Sequence, residues 1–459
     1  MGRKTVSRKE AVSGRAAMPR PTLSTTDAVS MIIGMVIGAG IFKTPSLVAL
    51  NSGSEGAALT AWLLGGVLSF IGALCYAELT STYPHAGGDY YYLRRAFGNS
   101  TAFLFAWARI MVIQTGSIAL VAFLIGDYAS GVARLGPYSS SVYAALIIAG
   151  LTALNVAGIQ QGKRVQNVLT AAIMGGLVSV VALGLATAPA ALPRGAPPVE
   201  SSPVLGKAMI FVLLTYGGWN EAAYLSSELR GAKRTMVRVL FYGIGIITVL
   251  YVGINFIFMR VLGVAGTAAS ETVAADFMRY LAGESGAHFI SLLVIVAALS
   301  TGNAATITGA RSAYALGRDF SLFRFLGQWH ERSGTPANAL LLQGAIALAL
   351  VLMGTGTRSG FTTMVEYTAP VFWFFFLLVG IALFVLRRKD PALARPFRVP
   401  LYPLTPIIFC AFCAYMLRAS LAYTGIGALA GVAVLVSGLP LLLVARSHEK
   451  TSDRKGGPE

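Results

Sequence analysis

Residues Ile33 to Phe42 read IGMVIGAGIF, placing Gly34, Gly38, Gly40 and Ala39 at the centre of a membrane-length apolar segment. A continuous helix has no use for such a cluster. Lacking a Cβ, Gly38 and Gly40 let the backbone leave helical geometry and expose its own N–H and C=O groups. In hydrocarbon those groups are tolerated only inside protein or beside a cavity. The stretch therefore has two readings. It is a helix broken to form half of a small-solute site at the bilayer midplane, or a seam of small residues for close helix packing, as in GxxxG pairs.

Composition sets the class around it. The chain has 459 residues, 55% hydrophobic and only 12% charged, with a mean hydropathy of +0.68. No soluble globular protein needs so apolar a composition. A membrane helix takes about 20 apolar residues, and about twelve such segments follow one another here, joined by short polar loops. An all-α polytopic membrane protein is the predicted fold class. The net charge of +17 does not point to nucleic acid, because the Lys and Arg residues sit in juxtamembrane loops and tails. That is the topology signal of membrane proteins. The first twenty or so residues are polar and basic and carry no apolar signal-peptide region,. Cys75, Cys410 and Cys413 fall inside apolar segments, which leaves no disulfide framework,. The CxxC spacing of Cys410 and Cys413 lies on an apolar helix without neighbouring His or acid, so both read as small buried hydrophobes.

In chain order, a cytoplasmic, disordered tail (1–25) precedes span 1, about Thr26 to Leu50, and span 2, about Ala57 to Leu79,. The following YPHAGGDYYYLRRAFG, with Arg94 and Arg95, is placed inside the cell,. Spans 3 and 4 cover about Thr101 to Ala133 and Ser141 to Ala157, and a loop GIQQGKRVQN returns positive charge to the same side. Span 5 ends near Thr187, and Pro189 to Pro203 reads as an outer loop,. Span 6, about Gly206 to Leu229, holds LLTYGGWNEAAY and is the second helix interrupted by glycines, Gly217 and Gly218. Span 7 runs to about Leu262, and an acidic outer loop with Glu271, Asp276 and Glu284 precedes span 8, about Ala287 to Tyr314. Spans 9 and 10 occupy about Ala337 to Met353 and Thr363 to Leu386, and RRKDPALARPFRVP follows as the strongest inside marker. The last two spans fall within 401–446, and a cytoplasmic tail (447–459) closes the chain. Each basic cluster then lies on one side, which places both termini in the cytoplasm of a multi-pass inner-membrane protein.

Spans 1 and 6 start five spans apart, so they hold corresponding positions in two halves, 26–187 and 206–387. Corresponding Gly-interrupted helices are the best sequence pointer to a transporter site. Because five is odd, the halves are expected to be inverted repeats.

Taken together, IIGMVIGAGIF, PHAGGDYYYLRRAFG, FVLLTYGGWNEAAYLSSE, NAATITGAR (Asn303 to Arg311) and RPFRVPLYPLTPI resemble the amino acid-polyamine-organocation superfamily, over roughly Thr26 to Arg446. The resemblance is closest to bacterial relatives of the L-type amino acid transporters. It implies a five-plus-five inverted repeat with two additional helices, and alternating access around a midplane amino-acid site.

The chemistry of such a site follows from the residues. A free amino acid brings a carboxylate and an ammonium that both lose water and need partners. The second half of span 1 offers free N–H groups around Ala39, Gly40 and Ile41, with a helix dipole behind them, for the carboxylate. Carbonyls of Leu214, Thr215 and Gly217, with those of Val36 or Ile37, suit the ammonium. The resemblance places a gating or wall aromatic at Tyr216 and Trp219, which otherwise read as packing or interfacial residues. Asn220 and Glu221 follow. Glu221 reads as a site for a cationic side chain, as a proton relay, or as a partner for Lys43 or Arg109. Ser117, Ser300, Thr301 and Asn303 are candidate pocket groups or helix-to-helix hydrogen bonds.

Two departures from the family pattern bear on coupling and partners. L-type relatives commonly carry a lysine in span 5, and aligning RVQNVLTAAIM puts Ile173 there. Coupling is then open: Ser300 and Thr301 help to form a sodium site, a proton is used, or substrates exchange with no ion. No cofactor or metal is expected. Animal heteromeric relatives use a cysteine between spans 3 and 4 to bond an ancillary subunit, and Arg134 to Ser141 contains none. A disulfide-linked heavy chain is not expected. Secondary transport of a small amino acid, by exchange or symport, is the leading function, with a cationic or polyamine substrate as the alternative through Glu221. A channel or nutrient sensor on the same scaffold is the competing class. An enzyme is disfavoured, since no HExxH or Ser-His-Asp set is evident.

Overall fold

The computed structural model describes residues 24–38, 40–187, 205–226, 232–270, 272–356, 360–423 and 425–455. Span 1 is two helices, α1 (Thr25–Val36) and α2 (Gly40–Ser52). A capping box starts α1: the Ser24 hydroxyl accepts from Asp27 N–H at 3.1 Å, and Ser24 N–H donates to the Asp27 carboxylate at 2.9 Å,. The chain continues through α3 (Glu55–Thr82), a short α4 (Asp89–Phe97), then α5 (Asn99–Ala108) and α6 (Gln114–Val132). Next come α7 (Ser139–Ala157), α8 (Ile159–Thr187), α9 (Leu205–Tyr216), α10 (Ala222–Leu225), α11 (Ala232–Ala269) and α12 (Val273–Asp319). Helices α13 (Ala337–Thr355), α14 (Gly360–Lys389), α15 (Leu404–Tyr423) and α16 (Gly425–Lys455) complete it.

Among the described residues, ten single helices are long and apolar enough to cross a membrane, and the α1–α2 pair, bent by 41°, makes an eleventh span. The broken sixth span, α9 with α10, is in neither count. Its first helix has only 12 residues, and 227–231 lie outside the described residues, as do Ala39 and the expected Pro-rich outer loop.

Two segments read as loops are helical. All of the basic GIQQGKRVQN after its glycine, Ile159 to Asn167, is the start of α8, so Gly158 (φ 154°) alone makes the turn from α7,. Asp276 and Glu284 lie in α12, which kinks at Gly283 (φ 65°), so the acidic segment is a short helix packed onto span 8. Its polarity is met locally, with Arg279 bound to both acids. Span 3 is continuous but contains a π-helical turn, Arg109–Ile113, between α5 and α6. Such turns recur at functional sites.

Burial separates centre from rim. In the most apolar 18 residues of each span, 83% are buried inside the protein in the α5–α6 span and 67% in α12, against 22% in α7 and 28% in α16. The rim helices therefore present their apolar side chains to lipid. At one end of the bundle α4 lies across the helix ends and is clamped there. Tyr90 and Arg94 hold Asp319 at the end of α12, both at 2.7 Å. Arg95 and Tyr83 hold Asp390 beyond α14, both at 2.9 Å. Buried Glu78 of α3 takes Arg387 and Arg395 and the backbone N–H of Val399. The Glu78 pairs, on a carboxylate only 1% exposed, escape most of the screening that makes surface pairs weak,.

Candidate substrate site

Both glycine breaks are present, and they abut. After Val36, the Gly38 N–H folds back to the Val36 carbonyl at 2.8 Å, and a new helix starts at Gly40. In span 6, α9 ends at Tyr216, Gly218 takes φ 112°, and a 3₁₀ turn Trp219–Glu221 leads into α10. A Cβ on Gly218 would lie 3.0 Å from the Met35 carbonyl oxygen, and one on Gly40 3.2 Å from Thr215. Only glycine lets the two interrupted backbones meet this closely. Tyr251 of α11 pins them together: its hydroxyl lies 2.5 Å from the Val36 carbonyl and 3.2 Å from that of Thr215.

A cavity of about 190 Å³ opens between these breaks and α6, α12 and α14. It is smaller than the about 300–1,000 Å³ usual for drug-sized ligands. Of the residues singled out in the sequence, Val36, Gly40, Ser117, Leu214, Thr215, Gly217, Asn220, Glu221 and Thr301 line it. Ala39 lies outside the described residues. Ile37, Ile41 and Ile173 are buried in apolar packing, and Ser300 is buried beside the cavity. Tyr216 lies behind the wall, 6.1 Å from Trp62 and 5.0 Å from Tyr251 between ring centres. Trp219 points toward the α4 end, where it meets Tyr76 at 5.2 Å and Phe376 at 5.4 Å. A Cβ on Gly72 would come within 2.6 Å of its ring. These three rings form a plug beneath the cavity.

The aromatic wall comes instead from α14, through Phe361, Phe372 and Trp373, with Thr368 on the same face. Phe361, Thr368 and Phe372 recur at intervals of seven and four residues, the spacing of one helix face, with Trp373 beside Phe372,, and this was the available signal for them. Gln114 was also missed. It lines the cavity and donates to the Ala305 carbonyl at 2.7 Å.

The backbone donors survive at the start of α2, whose first N–H groups have no partner within the helix. The acceptors are fewer than expected. The Val36 carbonyl already receives Gly38 N–H and the Tyr251 hydroxyl, which fills its two lone pairs. Leu214 receives Gly217 N–H at 3.2 Å and keeps one.

Glu221 is the one ionisable side chain on the wall among the described residues. Its carboxylate is held by Arg109 Nη2 at 2.5 Å, and Arg109, only 2% exposed, sits 3.9 Å from the Tyr224 ring centre. Of the two expected counter-charges, the π turn of span 3 delivers Arg109. Lys43, on α2, is not among the residues that line the cavity.

Where relatives commonly place a span 5 lysine, Ile173 is accompanied by a buried amide chain. Asn155 donates to Asn303 (2.9 Å), Asn303 to Gln166 (3.1 Å), Gln166 to Ser300 (2.7 Å), and Ser300 to the Gly34 carbonyl (3.4 Å). Thr301 donates to the same carbonyl at 3.1 Å. The Ser300 hydroxyl thus both accepts and donates, while Thr301 spends its one donor on the same carbonyl. Among the described residues there is no group of three or more His, Cys, Asp or Glu fit to hold a metal ion.

The family model for amino acid permeases matches residues 23–438. The chain belongs to the amino acid permease family. Similar proteins include the large neutral amino acids transporter small subunit 2 of Mus musculus, 29% identical over 96% of this chain and 84% of that protein. The b(0,+)-type amino acid transporter 1 of Mus musculus is 30% identical over 84% and 80%. The Asc-type amino acid transporter 1 of Mus musculus is 28% identical over 94% and 82%. This permease is therefore a multi-pass membrane protein of a family of transporters and not of enzymes, and its cavity lies at the junction of its two broken helices.

Proposed function

We propose that this permease carries small neutral amino acids by alternating access, without sodium. The observation that carries the reading is the Arg109–Glu221 pair: the single carboxylate on the cavity wall is already neutralised. A zwitterion with an uncharged side chain fits such a site, whereas a cationic side chain would find no free counter-charge. The α2 N-terminus takes the carboxylate, and the Leu214, Thr215 and Gly217 carbonyls, with that of Ile37, take the ammonium. Phe372, Trp373 and Ser117 bound the side chain.

The amide chain supports sodium independence, since the Gln166 amide hydrogens occupy the face of Ser300 that a cation would need. Two inverted five-helix halves, 26–187 and 206–387, rock about the breaks. The α4 clamp and the Trp219 plug close the side that carries the basic loops, which we assign to the cytoplasm of an inner-membrane protein with both termini inside. No disulfide-linked heavy chain is needed, because Arg134 to Ser141 has no cysteine.

Counterflow in proteoliposomes tests this. Saturable exchange of alanine, serine or a branched amino acid is expected, undiminished when choline replaces sodium. Preference for arginine or putrescine would instead support the cationic alternative, non-saturating flux a channel, and no flux a sensor.

A further inference from the structure

Beneath the cavity, Asp89, Arg109 and Glu221 form a buried cluster that amino acid binding does not use. Asp89 begins α4 immediately after Gly88, whose φ of 50° and missing Cβ allow the backbone to press onto the Tyr224 ring. This docks α4 on the broken span 6. The groups facing Asp89 are Tyr76 from α3, Tyr92 from α4 itself, Arg109 from the π turn, and Glu221 and Tyr224 from span 6. Tyr76 donates to Asp89 Oδ2 at 3.1 Å.

Two polar atoms of the cluster are poorly met: Arg109 Nε is buried without a hydrogen-bond partner, and Asp89 Oδ1 has only the Tyr224 hydroxyl near it. A purely structural ion-pair network has these atoms satisfied, because an unmet buried donor or acceptor is costly. The charge count is also incomplete. Arg109 keeps its charge at any working pH, so two ionised carboxylates would leave a net negative charge with almost no water near it. One proton makes the cluster neutral.

We propose that Asp89 binds one proton that is carried with the substrate, so that the permease is a proton symporter. This rests on the transport reading above. Of the two carboxyls Asp89 is the one that takes the proton, since Glu221 is ion-paired with Arg109 whereas, among the described residues, no ion pair reaches Asp89. Burial pushes the Asp89 carboxyl up to about 7, the Glu221 charge adding to the rise, while Arg109 opposes it.

The step is a simple transfer: hydronium entering from the cavity, past Glu221, gives its proton to the Asp89 carboxylate and leaves water. With Asp89 protonated, Arg109 stays on Glu221 and the neutral cluster can change its surroundings. Release of the α4 clamp exposes Asp89 to the other side, where the proton passes back to water. The bare carboxylate then draws Arg109 Nε to Asp89 Oδ1 and ties span 3 to α4. Through the Tyr76 hydroxyl, the same carboxyl holds one ring of the plug.

The test uses the full-length protein in proteoliposomes with an internal pH dye. An acidic exterior should drive accumulation of alanine with proton entry. Asp89→Asn should abolish accumulation and the dye signal and make exchange insensitive to pH, and Asp89→Glu should restore coupling. Accumulation that persists in Asp89→Asn would overturn the proposal, as would wild-type exchange that ignores pH. If no amino acid exchanges at all, the transport reading fails, and infrared difference spectra decide the proton site separately. A protonated-carboxyl band that disappears from about pH 6 to about pH 8 and is missing in Asp89→Asn supports it. An unchanged band refutes it.

Discussion

Replacing Arg109 by glutamine should turn the cavity toward cationic substrates. Arg109 is 2% exposed, and its Nη2 lies 2.5 Å from a carboxylate whose residue forms part of the cavity wall. Removing the guanidinium leaves that carboxylate uncompensated at a place where a substrate ammonium can reach it. A charge-assisted hydrogen bond is worth about 1.5–3 kcal/mol, so preference for lysine over alanine should rise about 10- to 150-fold, each 1.4 kcal/mol being tenfold. Stability should fall by about 3–5 kcal/mol, the usual cost of breaking a buried pair from one side. The assay is competition of lysine and alanine in counterflow, with thermal unfolding in detergent measured in parallel. The double variant Arg109→Gln, Glu221→Gln should recover much of the stability and show no gain for lysine. An Arg109→Gln protein that still exchanges alanine and keeps the wild-type ratio would refute the reasoning.

A methyl group at Gly34 would fall 2.2 Å from Gln166 Nε2 and 2.5 Å from both Ser300 Oγ and Thr170 Oγ1, so Gly34→Ala should cost about 1–3 kcal/mol. Gly175→Ala, which meets nothing within 4 Å, should leave the melting temperature unchanged or raise it. Because the Asp89 carboxyl is raised from 3.8 to about 7 in the fold, the native state binds more protons than the unfolded chain between those values. Stability should therefore fall as pH rises through that window, a slope that thermal unfolding should find missing in Asp89→Asn. Gln166→Leu cuts the amide chain at its centre and removes the bonds Gln166 makes to Asn303 and Ser300; a loss of about 1–3 kcal/mol is expected in detergent unfolding, with alanine uptake remaining independent of sodium.

The breaks themselves were legible because glycine has a local conformational meaning, and the two readings of IGMVIGAGIF prove to divide between residues. Gly34 lies inside α1 and is the packing glycine, pressed on α8 and α12. Gly38 and Gly40 flank the break. What could not be read was which side chains turn toward the cavity. Tyr216 and Trp219 sit in the motif itself, yet Tyr216 ends α9 and packs on Trp62 and Tyr251 while left-handed Gly218 and the 3₁₀ turn carry Trp219 away, and α14 supplies the wall from more than a hundred residues downstream. Polarity was likewise a poor guide to helix ends at Asp276 and Glu284, where local ion pairs make a polar helix stable. The choice between Lys43 and Arg109 depended on the π turn, which periodicity in an apolar span does not reveal.

The amide chain from Asn155 to Gly34 also has a consequence for how the two faces of the protein respond to their surroundings. Its hydrogen bonds all run in one direction and contain no ion, so they reinforce one another and break together. It acts as a latch that ionic strength does not loosen. The α4 clamp is made of ion pairs whose arginines are partly exposed, Arg94 by 38% and Arg95 by 39%, and added salt screens such pairs. Raising the salt on the α4 side should therefore ease that door while leaving the hinge unaltered, which makes opening toward the clamp, and not the swing of α1, the salt-sensitive step of the cycle.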